Sequence, residues 1–360
     1  MTQVRNVNSV SIDELRTLIP IVGKTLTVVV QSEPGCGKTS LLKMAEEDHG
    51  DAYDYIYVDC PVKDMTDIGM NMPNHSTKSL DYYVASLFKL DGPTANKPKF
   101  ILLDEMMKAP KMLQVIFTRL MLERMVGDRA LPEGSVIMAT SNNQTDGVGD
   151  TMLAHAGNRV CILQMRKPTA KEWLVYATKK GISRVIRTWV QMYPKCMASY
   201  LDPDQKDNPY IFKPTVPALS FCSPRSLEKC DVIVRNADIL GPNATSAALA
   251  GTIGASAAAD MAAFLMMEKS LTDVKDIVKN PDNTKIPDEI AAQLMICMQA
   301  VDTLDVQDDL TKFMGWVNRL PSAEVQSIFF TMMMRNPKSM RLAAHNEQIR
   351  TWTKENHELF

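Results

Sequence analysis

Hydrophobic and polar positions fall into two textures along the chain. Up to about residue 167, short apolar runs alternate with stretches of helical period. Thr25–Gln31 (TLTVVVQ) is a run of β-branched residues, the pattern of a strand buried on both faces of a sheet. It runs straight into SEPGCGKTSLLKMAEE, a loop opening into a helix. Tyr55–Val58, Phe100–Leu103, Val136–Thr140 and Val160–Gln164 read as four more strands. Ser11–Pro20 predicts a short amphipathic helix, with Ile12, Leu15, Leu18 and Ile19 on one face and Ser11 as N-cap. Pro110–Arg124 predicts another, with Leu113, Ile116, Phe117, Leu120 and Met121 on its apolar face. Strands alternating with helices predict an α/β fold with a parallel sheet and right-handed crossovers.

After Pro168 helical periodicity dominates to the end, broken at Leu201–Pro217 and again at Asn280–Lys285. Ala247–Met267 is the longest bland stretch. It carries Asp260, Gly251, Gly254 and several hydroxyl residues, too polar for a bilayer span, and predicts a closely packed internal helix pair.

Composition narrows the class. A chain of 360 residues predicts two or three domains, and 45% hydrophobic with 23% charged residues is ordinary for a soluble globular protein. The net charge of −2 supplies no global field toward nucleic acid or an anionic membrane, and leaves a local basic groove or pore open. Cys36, Cys60, Cys161, Cys196, Cys222, Cys230 and Cys297 form no CxxC pair, and no histidine stands at zinc-ligand spacing. They read as free thiols in a reducing compartment. MTQVRNVNSV lacks the apolar core of a signal peptide. The expectation is a cytoplasmic protein without a membrane span. The 25 methionines read as filler of helical cores.

Ser32-Glu33-Pro34-Gly35-Cys36-Gly37-Lys38-Thr39 fits the phosphate-binding pattern G-x-x-x-x-G-K-[ST] except at its first position. Gly35 and Gly37 permit backbone turns that aim N–H groups at phosphates. Lys38 is expected to reach the β- and γ-phosphates and Thr39 to ligate Mg²⁺, with Ser40 opening a helix whose positive end faces the anion. Ser32 stands where glycine is usual. It costs little if its φ is negative and about 1 kcal/mol or more if the loop demands a glycine-only conformation. Phe100-Ile-Leu-Leu-Asp-Glu105 is an apolar strand ending in two carboxylates. Asp104 is expected to hold Mg²⁺, directly or through water, and Glu105 to polarise the attacking water. Such pairs alone are often solvated loop starts; their place downstream of the loop singles this one out. Val136-Ile-Met-Ala-Thr-Ser-Asn142 ends in a polar cluster, and Asn142, with Asn143 as its alternative, is placed to sense the γ-phosphate. Arg159, in AHAGNRV, precedes a strand and is a candidate arginine finger for a neighbouring subunit. Arg225, in SPRSLEK, sits at a helix start and is a candidate γ-phosphate contact. A lone arginine is usually a surface ion-pair partner; the order of the motifs reverses that here.

This ordered series resembles the AAA+ ATPases, and most nearly their MoxR-type and dynein-related branch. LLDEMMKAPKMLQVIFTRLMLERMVGDRALPEGSVIMATSNN is similar to that branch's block from the paired carboxylates to the sensor, AHAGNRV to its finger segment and KPTAKEWLVYA to its entry into the lid. The likeness covers roughly residues 1–260. It implies an ATP-binding core at 1–166 with a central parallel sheet, a helical lid at 167–270 and a helical C-terminal region at 271–360. It implies ATP and Mg²⁺ as ligands, ATP hydrolysis, and a homo-oligomeric ring, usually a hexamer, that remodels a protein client. A von Willebrand factor A domain partner is in keeping with the branch. Residues 63–78 and the short hairpin 125–131 would then be loops facing the pore or partner. The alternative is a nucleic-acid-directed AAA+ motor or loader, against which the near-neutral charge weighs. A third reading is a scaffold that binds ATP with little turnover, favoured by Ser32 and disfavoured by the intact Asp104, Glu105, Asn142 and Arg159.

Overall fold

The computed structural model describes residues 9–143, 159–216 and 218–357. The chain divides into two compact units, Met1–Lys167 and Pro168–Phe360.

In the first unit the chain order is β1 (Ser9–Val10), α1 (Ile12–Val22), β2 (Thr27–Ser32), α2 (Ser40–His49) and β3 (Asp54–Asp59), then the hairpin β4 (Gly69–Asn74) and β5 (Ser79–Val84). It continues with β6 (Lys99–Asp104), α3 (Lys111–Glu123), a second hairpin of β7 (Met125–Val126) and β8 (Arg129–Ala130), then β9 (Val136–Asn142) and β10 (Val160–Met165). Six strands form one sheet in the order β1-β10-β2-β9-β6-β3, every pair parallel. The five expected strands are all present. The sixth, β1, is only two residues long, too short to show a period.

Consecutive apolar residues make sense here because the sheet is covered on both faces. Val28 and Val30 of β2, Phe100 and Leu102 of β6, and Val136 and Met138 of β9 pack with Leu15 and Ile19 of α1 and Leu41 and Ala45 of α2. The intervening Val29, Ile101, Leu103, Ile137 and Ala139 pack with Leu113, Phe117, Leu120 and Met121 of α3. Ser11 caps α1 in a reciprocal box with Glu14, as its position predicts.

At the N-terminal end of the sheet, Lys99 and Asp54 open β6 and β3 in register. Lys99 is fully buried, and its Nζ donates to Asp54 Oδ2 at 2.8 Å and to the Thr94 carbonyl at 2.7 Å. Burial alone would raise the Asp54 pKa. Hydrogen bonds from Lys99 and Thr94 and the charges of Lys99 and Lys89 outweigh it and hold the carboxyl below its ordinary value.

The region 63–78, expected as a loop, contains β4, which pairs antiparallel with β5. Four of its six residues are exposed and none is buried, so no burial period marks it as a strand. The hairpin expected at 125–131 is present as β7–β8. The two hairpins touch: a Cβ at Gly127 would lie 2.0 Å from the Tyr82 ring, and Gly127 has φ +60°. Only glycine fits there.

The second unit is helical: α4 (Ala170–Lys180), α5 (Arg184–Met192), α6 (Pro224–Lys229), α7 (Asp231–Arg235), α8 (Ala237–Ile253, kinked at Gly241) and α9 (Ala255–Glu268). There follow α10 (Val274–Lys279), α11 (Ile290–Thr303), α12 (Gln307–Asn318), α13 (Ala323–Arg335), α14 (Met340–His345) and α15 (Glu347–Glu355). The expected helix pair in 247–267 is α8 packed on α9. One cluster of buried side chains surrounds Trp173 and Trp189, and another surrounds Phe313, Trp316 and Phe329. Residue 270, where a division was expected, lies between α9 and α10 inside the one compact unit Pro168–Phe360, and α11 sends Ala291 and Met295 into the first cluster and Leu294 and Cys297 into the second. The buried Arg187 ties α5 to α11 through Asp302. Among the described residues, no helix is long and apolar enough to cross a membrane, and the seven cysteines are free.

Lys99→Met strips the buried Asp54 of its closest cation. We expect a loss of about 3 kcal/mol, the low end of the range for broken buried pairs, because Lys97 and Lys89 remain 3.7 and 3.9 Å from Asp54. Hydrogen exchange at the β3 and β6 amides reads it. Because the folded-state Asp54 pKa is depressed, its contribution is complete above the ordinary value of 3.8 and is lost as pH falls through the lower folded value. The difference between wild type and variant narrows over that interval.

Candidate functional site

The candidate site lies at the C-terminal ends of β2, β6 and β9, neighbouring strands of the sheet. β2 delivers the chain to Ser32, and α2 starts at Ser40, so residues 33–39 form the turn between strand and helix. Gly35 and Gly37 hold φ +76° and +96°, conformations that L side chains rarely adopt, so each glycine is required. Ser32 is the last residue of β2, paired with Asn142 of β9, and is absent from the positions with positive φ. Its Cβ therefore costs nothing in the backbone, and its hydroxyl donates to the Glu33 carbonyl at 3.1 Å. The departure from glycine falls on the harmless branch of the expectation.

Lys38 is almost fully buried. Its Nζ donates to the Ser32 carbonyl and to Asn142 Oδ1, both at 2.9 Å, and to the Glu33 carbonyl at 3.4 Å. The side chain thus bends back across the mouth of its own loop and meets the end of β9. Asn143 points elsewhere: its Oδ1 accepts from Gln164 of β10 at 2.7 Å. Between the two asparagines left open by the sequence, Asn142 is the one beside Lys38. Cys36 is buried within the loop. Burial first, and the Glu33 charge second, push its thiol up to about 12, so it is a neutral packing group at working pH.

Asp104 closes β6 and is only 7% exposed. Its Oδ2 accepts from the Thr39 hydroxyl at 3.0 Å and from the Tyr57 hydroxyl at 3.0 Å, and its Oδ1 accepts from Thr140. The Thr140 oxygen in turn accepts from the Glu105 backbone N–H at 3.0 Å. Thr39 and Asp104, the two residues expected to hold Mg²⁺, are therefore adjacent. Their oxygens are hard donors of the kind Mg²⁺ takes. Among the described residues no group of three or more His, Cys, Asp or Glu forms a protein-only metal cage. One carboxylate and one hydroxyl fit an ion that fills its remaining positions with phosphate and water.

Glu105 follows in the left-handed region, φ +50° and ψ +39°, an unusual conformation for a residue with a side chain. The turn separates its carboxylate from that of Asp104. Glu105 Oε2 accepts from Lys108 Nζ at 2.8 Å, and both side chains are about one-third exposed.

Arg159 is not brought to this cluster. Arg159 is exposed at the start of β10, where the next residue, Val160, pairs with Thr27 at the beginning of β2. The candidate site begins at Ser32, the other end of β2. At about 3.3 Å per residue, five residues of strand put roughly 16 Å between them, beyond an arginine's reach. The rest of the expected finger segment, residues 154–158, lies outside the described residues. Arg225 belongs to the second unit, exposed on the first turn of α6, behind the cap formed by Ser223 and Ser226.

Sequence reasoning missed Tyr57 and Thr140. Both were read only as strand residues. Their signal lies in the register: Tyr57 pairs with Leu102, two residues before Asp104 and on the same face, and Thr140 follows Ala139, the partner of Leu103.

No protein-family model matches the chain, and no curated protein does. Among solved structures, a candidate ATPase from Cytophaga hutchinsonii aligns at 16% identity and TM-score 0.34, over 47% of this chain and 50% of that one. The chain thus spans half the length of that protein. The RuvB Holliday junction branch migration motor of Thermotoga maritima aligns at 14% identity and TM-score 0.36, over 76% of this chain and 75% of that one. NtrX of Brucella abortus in complex with ATP aligns at 10% identity and TM-score 0.38, over 96% of this chain and 67% of that one. Likenesses this loose assign no family, and the functional reading rests on the site itself.

Thr140→Val keeps the shape of the side chain and removes both of its hydrogen bonds. A buried Asp104 oxygen and the Glu105 N–H then lose a partner. We expect a local loss of about 1–3 kcal/mol, seen as faster hydrogen exchange at the ends of β6 and β9.

Proposed function

We propose that the chain is an AAA+ ATPase of the MoxR-like kind, binding ATP and Mg²⁺ at residues 32–40 and remodelling a protein client as a homo-oligomeric ring. The observation that carries this reading is the meeting of four groups from three separate segments. Lys38 lies on Asn142 at 2.9 Å, and Thr39 lies on Asp104 at 3.0 Å, at one end of a parallel sheet.

Each residue's part follows from its chemistry. The N–H groups of the Gly35–Thr39 turn and the start of α2 receive the phosphates. Lys38 exchanges the Ser32 and Glu33 carbonyls for phosphate oxygens, while Asn142 stays within its reach and registers whether the γ-phosphate is there. Thr39 and Asp104 would hold Mg²⁺, which when bound neutralises charge between the β- and γ-phosphates. Glu105 takes the proton of the attacking water, for which its carboxylate must leave Lys108. That exchange is inexpensive, because a partly exposed ion pair is worth about 0–1 kcal/mol.

Arg159 cannot serve its own site across roughly 16 Å of strand. This favours the trans role, in which a neighbour's Arg159 completes the site and activity requires a closed ring, with a hexamer as the usual size. Arg225, in a helical region that would act as the lid (residues 167–270), would couple phosphate loss to movement of that lid. The C-terminal region, residues 271–360, is then free to differ with the client. The exposed Met70, Met72 and Tyr83 on the β4–β5 hairpin suit contact with that client or with a von Willebrand factor A domain partner. Free, largely buried thiols suit a cytoplasmic setting.

Glu105→Gln is expected to keep ATP affinity and lower turnover by roughly 10²–10⁴-fold, the usual worth of a general base. Fluorescent-nucleotide titration beside phosphate release measures both. Unchanged turnover would remove Glu105 from the mechanism. Mixing Glu105→Gln chains with Arg159→Ala chains tests the ring. Some interfaces then pair an intact Glu105 with an intact neighbouring Arg159, so activity should recover. No recovery in verified mixed rings would remove Arg159 from its trans role.

A further inference from the structure

Asp104 is gripped from both sides of its strand. Thr140 reaches it from β9, and Tyr57 reaches it from β3, at the edge of the sheet. Tyr57 pairs with Leu102, so it stands on the face of Asp104 but one diagonal step away. A phenol spans that diagonal, which shorter hydroxyl side chains cannot. The residue directly opposite Asp104 in the register is Asp59, which has no proton to offer. Tyr57 is also a poor packing residue, 43% exposed on an edge strand. Among the described residues its side-chain hydrogen bond is the 3.0 Å one to Asp104 Oδ2.

We infer that Tyr57 is a positioning residue for the divalent cation, holding Asp104 in the one rotamer that presents its carboxylate to Mg²⁺ beside the Thr39 hydroxyl. The inference rests on the nucleotide-site reading above. Three neutral donors satisfy the buried carboxylate without supplying a positive charge that would compete with the cation. Thr39, donating its proton to Asp104, keeps its oxygen lone pairs for the metal. Without the Tyr57 hydroxyl, Asp104 Oδ2 depends on Thr39 alone, and the carboxylate can turn away from the position it shares with that hydroxyl. Residues that orient a metal ligand in this way are typically worth about 10–100-fold in metal affinity.

The test is Tyr57→Phe, which keeps the ring and removes the donor. A fluorescent ATP analogue is titrated in EDTA and at a series of Mg²⁺ concentrations, and Mn²⁺ binding to the protein–ATP complex is followed by electron paramagnetic resonance. We expect unchanged affinity in EDTA and a requirement for Mg²⁺ and Mn²⁺ that rises roughly 10-fold. An unchanged metal requirement would overturn the inference. So would an equal loss of affinity with and without metal, because Tyr57 would then be merely structural. Wild type and Lys38→Ala are titrated alongside. Wild type that binds no nucleotide would overturn the site reading and this inference together. Wild type that binds in a Mg²⁺-dependent way, with Tyr57→Phe identical to it, would overturn this inference alone.

Discussion

A carboxylate at 7% exposure needs hydrogen-bond donors, and Asp104 obtains them from three different segments. Thr39 comes from the loop after β2, Tyr57 from β3 and Thr140 from β9. Burying the charge without them would cost several kcal/mol. The requirement therefore fixes more than one side chain. It sets where β3 and β9 stand relative to the end of β6, and it pins the turn of residues 33–39 through Thr39. Thr140 passes the constraint on, because the oxygen that donates to Asp104 also receives the Glu105 backbone N–H. The left-handed turn at Glu105 is held in this way, and the two adjacent acids consequently face different surroundings.

The two ends of the sheet carry different kinds of polar chemistry. At the C-terminal end, hydroxyls donate to Asp104, and Lys38 donates to oxygens of Ser32, Glu33 and Asn142 that a ligand oxygen can replace. At the N-terminal end, Lys99 and Asp54 form a buried ion pair that has no such exchange available and serves to hold β3 against β6. Arg159 stands at that N-terminal end too, one residue before the register point of Thr27. The cluster around Lys38 and Asp104 thus stands at one end of the sheet and Arg159 at the other. The proposal of a ring subunit rests on this asymmetry.

Much of the first unit was legible because burial on both faces leaves an unmistakable trace, a run of consecutive apolar residues. β2, β6 and β9 carry it with that burial, whereas β3, whose burial alternates, and β10, mostly half-buried, carry the apolar run alone. β1 has only two residues, and β4 carries almost no burial, so neither had a period to read. The loop at 32–39 was legible from its glycines and Lys38, and the positive φ at Gly35 and Gly37 accords with that reading. Ser32 could be judged only once its backbone was known, because its cost turns entirely on φ.

Sequence alone determined the strand-and-helix alternation, the phosphate-type loop and the carboxylate pair, because each depends on neighbours a few residues away. Tertiary structure decided which asparagine meets Lys38, that Tyr57 and Thr140 attend Asp104, and that Arg159 lies a strand length from the loop. Those facts come from strand order and register between segments tens of residues apart. Asp104 shows both halves. Its position at the end of an apolar strand marked it as a candidate, and only the flanking strands revealed how a buried anion at that position is kept.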